Sequence, residues 1–126
     1  MIDVLIVDDD SVMRELLTQV VQLYPDLSLI AEAGYGEDAV SQATRLQPAV
    51  ALVDVHLPTM SGIETTRLIK LRSPLTAIIG LTASEPDDND MAMLSAGACA
   101  VISKADLVHR LYPCILEALK SLKAAI

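Results

Sequence analysis

Four short apolar runs in this chain each end on a residue that has no use in a buried strand. Val4-Leu5-Ile6-Val7 runs into Asp8-Asp9-Asp10, and Val50-Ala51-Leu52-Val53 into Asp54. Ala77-Ile78-Ile79-Gly80-Leu81 ends at Thr82, and Val101-Ile102-Ser103 at Lys104. Runs this short and this apolar read as strands buried on both faces, the kind found in parallel sheets. In an open parallel sheet, ligands bind just beyond the carboxyl ends of the strands. The pattern therefore predicts one crevice holding a carboxylate cluster, a further carboxylate, a hydroxyl and an ammonium.

Helix patterns fill the intervals. From about Ser11, Val12, Leu16, Val20 and Leu23 recur at spacings of four, four and three until Pro25 enforces a break. Leu27 to Ala33 reads as a second strand. Ala39, Val40, Ala43 and Leu46 mark a helix that stops before Pro48. Ser61-Gly62-Ile63-Glu64 opens the next with a capping-box pattern. A polar loop from Ser84 to Asp90 leads to a helix with Met91, Met93 and Leu94, which ends at Ala96-Gly97, a C-cap signal. Leu107, Leu111, Ile115, Leu119 and Leu122 mark the last helix. Five strand–helix units joined by right-handed crossovers give a flavodoxin-like, doubly wound α/β domain: five parallel strands with helices on both faces. No linker or repeat interrupts it, so residues 1–126 are expected to form a single domain.

Composition narrows the function. With no Phe or Trp among 126 residues, aliphatic side chains must fill the core. A formal charge of −8 excludes a phosphate-gripping nucleic-acid surface on this domain. No apolar run approaches the roughly 18 residues of a membrane span, and the N-terminus lacks a basic-then-apolar signal pattern. Cys99 and Cys114 lack metal-type spacing and read as reduced thiols of a cytoplasmic protein.

The crevice chemistry follows from its ligand types. Magnesium takes hard oxygen ligands, commonly one or two carboxylates, and keeps several waters. Asp8, Asp9 and Asp54 brought together repel one another unless a cation offsets them. With Mg2+ (or Mn2+) present, Asp54 can attack a phosphoryl donor to form an acyl phosphate. Thr82 then hydrogen-bonds one phosphoryl oxygen, and Lys104 supplies charge to another. Asp10 suits a helix N-terminus. His109 and Tyr112 fall on the last helix, the first as a surface residue and the second half-buried.

These motifs resemble the response-regulator receiver domain of two-component signalling. Its marks are Val7-Asp8-Asp9, Asp54 with Leu57-Pro58 and Ser61-Gly62, Leu81-Thr82-Ala83, Ala96-Gly97-Ala98, and Lys104. The resemblance covers essentially the whole chain. It implies a phosphorylation-activated signalling domain, not an enzyme acting on other substrates. Asp54 would be the phosphoacceptor, charged by a sensor histidine kinase or a phosphotransfer protein. Asp9, Asp54 and the main-chain carbonyl of His56 would ligate the metal, with Asp8 acting through a water. The His56 side chain would overhang the phosphoryl group. Phosphorylation would alter an output surface and promote a homodimer. The segment from Ala96 to Asp106 is similar to receivers that precede a LuxR-type helix-turn-helix, so an output domain or protein outside this chain is expected, with no nucleic-acid contact by this domain.

Two positions depart from the family pattern. Lys104 is followed by Ala105 where proline is usual, which favours a trans bond. Val101 stands at the switch position usually held by Tyr or Phe, so no rotating ring is available there. The Ser84–Asp90 loop, with Pro86 and Asp87-Asp88, is expected to carry the response instead. Two rivals remain. Asp8-Asp9-Asp10-Ser11-Val12 also fits a haloacid-dehalogenase-type phosphatase, with Asp8 as nucleophile and Asp10 as general acid, but that leaves Asp54 without a role. A flavodoxin needs a hydroxyl- and glycine-rich first loop, and three carboxylates stand in its place.

Overall fold

The computed structural model describes residues 1–83 and 87–125. Five strands alternate with five helices: β1 (Ile2–Val7), α1 (Ser11–Gln22), β2 (Leu27–Ala33), α2 (Gly36–Leu46), β3 (Val50–Asp54), α3 (Gly62–Arg72), β4 (Ala77–Thr82), α4 (Asp88–Ala96), β5 (Ala100–Ser103) and α5 (Leu107–Ala125). All strand pairs are parallel, in the order β2-β1-β3-β4-β5. This is the doubly wound, flavodoxin-like sheet that the alternation predicts.

The pleat sorts alternate residues of each strand to opposite faces. Val4 and Ile6 of β1 join Leu52, Ile79 and Ile102 in a core closed by α1 and α5. Leu5 and Val7 join Val53, Ile78 and Met93 in a second core, closed by α2, α3 and α4. Both faces are covered, so β3 and β4 are buried along their whole length. Their polar ends have nowhere to project except past the sheet's carboxyl edge.

Helix ends follow local chemistry. Asp10 caps α1, its Oδ1 accepting the N–H groups of Val12 and Met13, and Ser61 caps α3 by accepting the Glu64 N–H. The capping box at Ser61 is only half made, because the Glu64 carboxylate turns to Arg67. Gly97 ends α4 at φ 121°, a conformation that favours glycine. Asp87 caps α4 and Asp88 already lies in its first turn, so this acidic pair belongs to the helix and not to a loose loop. Ser84, Glu85 and Pro86 lie outside the described residues.

One helix face differs from expectation. Of the predicted α1 stripe Val20 is buried, together with Leu17 and Val21, whereas Val12, Leu16 and Leu23 are 73%, 41% and 65% exposed. α1 thus carries two apolar stripes that share Val20, and the sheet covers only one of them. In α4 only Met93 is buried, and Met91 and Leu94 face outward. The last helix follows its predicted stripe, with Leu107, Leu111 and Ile115 fully buried. No described helix is long and apolar enough to cross a membrane.

The turn that leaves β3 is the tightest point near the sheet's carboxyl edge. Gly62 N–H donates to Val55 O at 3.0 Å, and a Cβ on Gly62 would lie 2.7 Å from Val55 Cα and also run into the Asp54 carbonyl. Backbone atoms there cannot swing aside. Gly62→Ala is expected to cost about 3 kcal/mol, an overpacking penalty read as a lower urea midpoint with an unchanged m-value.

Candidate functional site

Three aspartates meet at the carboxyl edge of β1 and β3. One carboxylate oxygen from each of Asp8, Asp9 and Asp54 lies within 4.8 Å of the others. Asp8 is fully buried and Asp54 is 6% exposed, while Asp9 faces solvent. β1 and β3 pair in register, Val7 opposite Val53, which sets Asp8 beside Asp54. Asp9 reaches the same crevice because the chain turns there into α1.

Each buried carboxylate is held on both oxygens. Asp8 Oδ1 accepts the Asp10 N–H at 2.9 Å, and its Oδ2 lies 2.9 Å from Lys104 Nζ. Asp54 Oδ1 accepts the His56 N–H at 2.9 Å, and its Oδ2 accepts from Lys104 Nζ at 3.1 Å. Lys104 thus bridges the ends of β1 and β3 from the end of β5. The Arg14 guanidinium adds a clamp from α1, donating to the Asp8 main-chain oxygen at 2.6 Å and lying 3.6 Å from Glu32 on β2.

Thr82 closes β4, 3% exposed and opposite Ser103 on β5. His56 is exposed on the β3–α3 loop, its N–H committed to Asp54. Val101 is half-buried on the edge strand. After Lys104 the chain enters a short 3-10 turn, Lys104–Asp106, through a trans peptide bond, and Ser103 caps it by accepting the Ala105 N–H. Thus Asp8, Asp9, Asp54 and Lys104 are brought together at one edge as the strand endings predict, and Thr82 ends the neighbouring strand.

Sequence reasoning missed Arg14 and Thr59. Thr59 has φ 62°, a left-handed conformation that costs a β-branched residue roughly 1–3 kcal/mol. Its hydroxyl lies 3.2 Å from Glu37 Oε1 on α2 and 2.7 Å from Pro58 O, which ties the loop after Asp54 to a neighbouring helix. No local sequence signal marks such a strained position, because the type of residue there argues against it.

Burial holds the Asp54 carboxyl above its usual 3.8, against the opposing pull of the His56 N–H and Lys104. Burial alone would depress Lys104, but its contacts with Asp8 and Asp54 outweigh that and raise it above 10.5. Three carboxylates, two of them on the one Lys104 ammonium, leave net negative charge in the crevice. The donor set is all oxygen, as a hard divalent cation requires, so the residues fit magnesium.

Comparison with known proteins decides the family. The family model for the response regulator receiver domain matches residues 4–112. The chain is a response-regulator receiver domain. A protein-glutamate methylesterase/protein-glutamine glutaminase from Syntrophus aciditrophicus is 37% identical over 114 residues, covering 89% of this chain and 33% of that protein. Response regulator GacA of Pseudomonas syringae pv. syringae is 33% identical over 104 residues, covering 82% of this chain and 49% of that protein. The chain therefore spans a third to a half of the length of these curated relatives. The response regulator domain of Thermotoga maritima CheB superposes with a TM-score of 0.88 at 27% identity, covering 95% of this chain and 97% of that one.

The receiver assignment leaves the phosphatase reading without support. The proposed general acid, Asp10, is spent on capping α1, and the proposed nucleophile, Asp8, has no solvent-exposed surface.

A raised pKa at Asp54 means that the folded, metal-free receiver holds its proton more tightly than the unfolded chain does. Asp54's contribution to stability is therefore complete below pH 3.8 and lost as pH rises through the higher folded value. Lys104 contributes fully below 10.5, and its share is lost only as pH rises through its own raised value. In metal-free buffer, Asp54→Asn is expected to gain stability relative to wild type as pH climbs from about 4 to 7. Urea midpoints of both proteins across that range check this, and parallel curves would contradict it.

Proposed function

We propose that this receiver takes a phosphoryl group onto Asp54 from the phosphohistidine of a sensor histidine kinase or phosphotransfer protein, in a magnesium-dependent step, as a cytoplasmic signalling element. The observation that carries this reading is the placement of Asp54. It is the one carboxylate of the trio that ends the middle strand of the sheet; it lies beside Asp8 and Asp9 and shares the Lys104 ammonium with Asp8. Asp9 and Asp54, with the His56 main-chain carbonyl, would hold the metal, and Asp8 would act through a water. The bound cation would neutralise carboxylate charge, so that an anionic donor can approach. Lys104 then neutralises charge on the transferred group, and Thr82 donates to one of its oxygens. A receiver of the same fold, CheY of Borrelia burgdorferi, was solved as a CheX–CheY–BeF3–Mg2+ complex and superposes with a TM-score of 0.78 at 25% identity, which supports the metal assignment. Chemistry beyond gain and loss of its own phosphoryl group is not part of this proposal.

Incubation with acetyl phosphate and magnesium should add one phosphoryl group, read by intact mass and mapped to Asp54. Asp54→Asn should abolish the labelling, Asp8→Asn should leave any label on Asp54, and EDTA should prevent it. A phosphoryl group that persists in Asp54→Asn and maps to Asp8 would overturn the assignment.

The route from site to surface also departs from a ring switch. Gly80 on β4 lets α4 and β5 pack closely over the strand: a Cβ there would lie 2.8 Å from Met93 Cε and 3.2 and 3.6 Å from the two Val101 methyls. Met93 is fully buried, and its sulfur accepts from Thr66 Oγ1 at 3.7 Å. A methionine adapts its shape by bond rotation where valine cannot. Movement of Thr82 toward the phosphoryl group would thus be relayed by Met93 to α4, with Val101 as a passive wall. Amide exchange with and without acetyl phosphate should change most between Ala83 and Leu94 and little at Val101. Met93→Leu should blunt the α4 response several-fold without altering labelling of Asp54. An equally strong response in the strand around Val101 would rule out this route.

A further inference from the structure

Cys99 and Cys114 are fifteen positions apart in sequence, and the fold sets them on the walls of one groove. This groove, of about 200 Å³, runs between the loop entering β5 and the middle of α5, and Ala100, Glu117, Ala118 and Ser121 complete its lining. Ala100 and Ala118 are small, so the space between the two sulfur-bearing walls is not filled by side chains. Cys99 is exposed and anchored to the sheet by its N–H, which donates to Ile78 O at 2.7 Å. Cys114 is half-buried on a helix whose inner face is fixed by Leu111 and Ile115. Both thiols are free.

We propose that Cys99 and Cys114 are a redox-modification site, joined as a disulfide by hydrogen peroxide and reopened by thiols. The division of labour follows exposure. Cys99 is accessible, so its sulfur meets the oxidant first: the sulfur attacks one peroxide oxygen, the O–O bond breaks, and water leaves with the thiol proton, giving a sulfenic acid. The Cys114 sulfur then attacks the sulfenic sulfur, the S–O bond breaks, and a second water leaves. Two thiols lose two electrons and two protons, and one peroxide becomes two waters. Burial pushes the Cys114 thiol up, against the pull of Arg110, which leaves little thiolate there to meet the oxidant first. The ring closed by the bond would contain β5, Lys104 and the first half of α5. Oxidation would thereby staple the segment that delivers the lysine to the phosphorylation crevice, without using any residue of that crevice.

Intact mass after mild peroxide treatment tests this independently of phosphorylation. The wild-type chain should lose about 2 Da, resist alkylation at both cysteines, yield a peptide linking Cys99 to Cys114, and recover with dithiothreitol. Cys99→Ser and Cys114→Ser should each prevent the loss, and amide exchange from Ala100 to Arg110 should slow several-fold in the oxidised wild type only. Overoxidised Cys99 beside an alkylatable Cys114, a disulfide dimer through Cys99, or a linked form with unchanged exchange would each overturn the proposal.

Discussion

The Lys104 ammonium between Asp8 and Asp54 is the contact on which the arrangement of the crevice depends. It lies 2.9 and 3.1 Å from carboxylates that are 0% and 6% exposed. A buried carboxylate without a partner is costly, and two side by side repel strongly. The lysine makes the pair tolerable and ties the end of β5 to the ends of β1 and β3 across the sheet. Asp9 is left in solvent, where its charge costs little and remains available to a cation. The doubly wound sheet makes this possible because β1, β3, β4 and β5 each deliver a polar terminus to the same edge.

The fold and the candidate site were legible to different depths. Apolar runs ending on Asp8, Asp54, Thr82 and Lys104 announced both the parallel sheet and the membership of the crevice, because a buried strand can place polar groups only at its ends. The face of α1 was read only in part: Val20 is buried as predicted, but Val12, Leu16 and Leu23 are exposed, and Leu17 and Val21 pack beside Val20 instead. Periodicity cannot choose between two apolar stripes; only the sheet's position does. Close approaches were also hidden. Thr65 and Thr66 are fully buried, and a Cβ on Gly36 would strike the Thr65 hydroxyl, so α2 and α3 pack through small and polar residues that read as surface. The left-handed Thr59 and the shared groove of Cys99 and Cys114 exist only once distant segments are assembled.

The relatives show why the site and the output are read separately. A methylesterase from Syntrophus aciditrophicus and GacA from Pseudomonas syringae both match this chain over most of its length, while the matched part is a third to a half of theirs. Relatives that bear different names thus share the part that matches this chain. Exposed apolar residues of this chain lie on the helices: Val12 and Leu16 on α1, Met91 and Leu94 on α4, and Val108 on α5. Singly exposed apolar residues need no explanation.

Charge bookkeeping then accounts for a hydroxyl at the end of β4. With Asp8, Asp9 and Asp54 ionised and Lys104 protonated, the crevice carries −3 + 1 = −2, and a divalent cation brings it to neutrality. An acyl phosphate, at about −2 by analogy with other phosphorylated side chains, replaces a carboxylate of −1, so the phosphorylated crevice regains about one negative charge. A further fixed cation would be mismatched to the resting state, where the charges already cancel. A neutral donor is tolerated in both states and becomes attractive only when the extra charge appears. Thr82 has that property: it ends the strand between β3 and β5 and brings a hydroxyl there without carrying charge into the core. On the proposed function, the excess charge created by phosphorylation would draw the end of β4, and Met93, packed above Gly80 on the same strand, is the side chain that would pass the movement to α4.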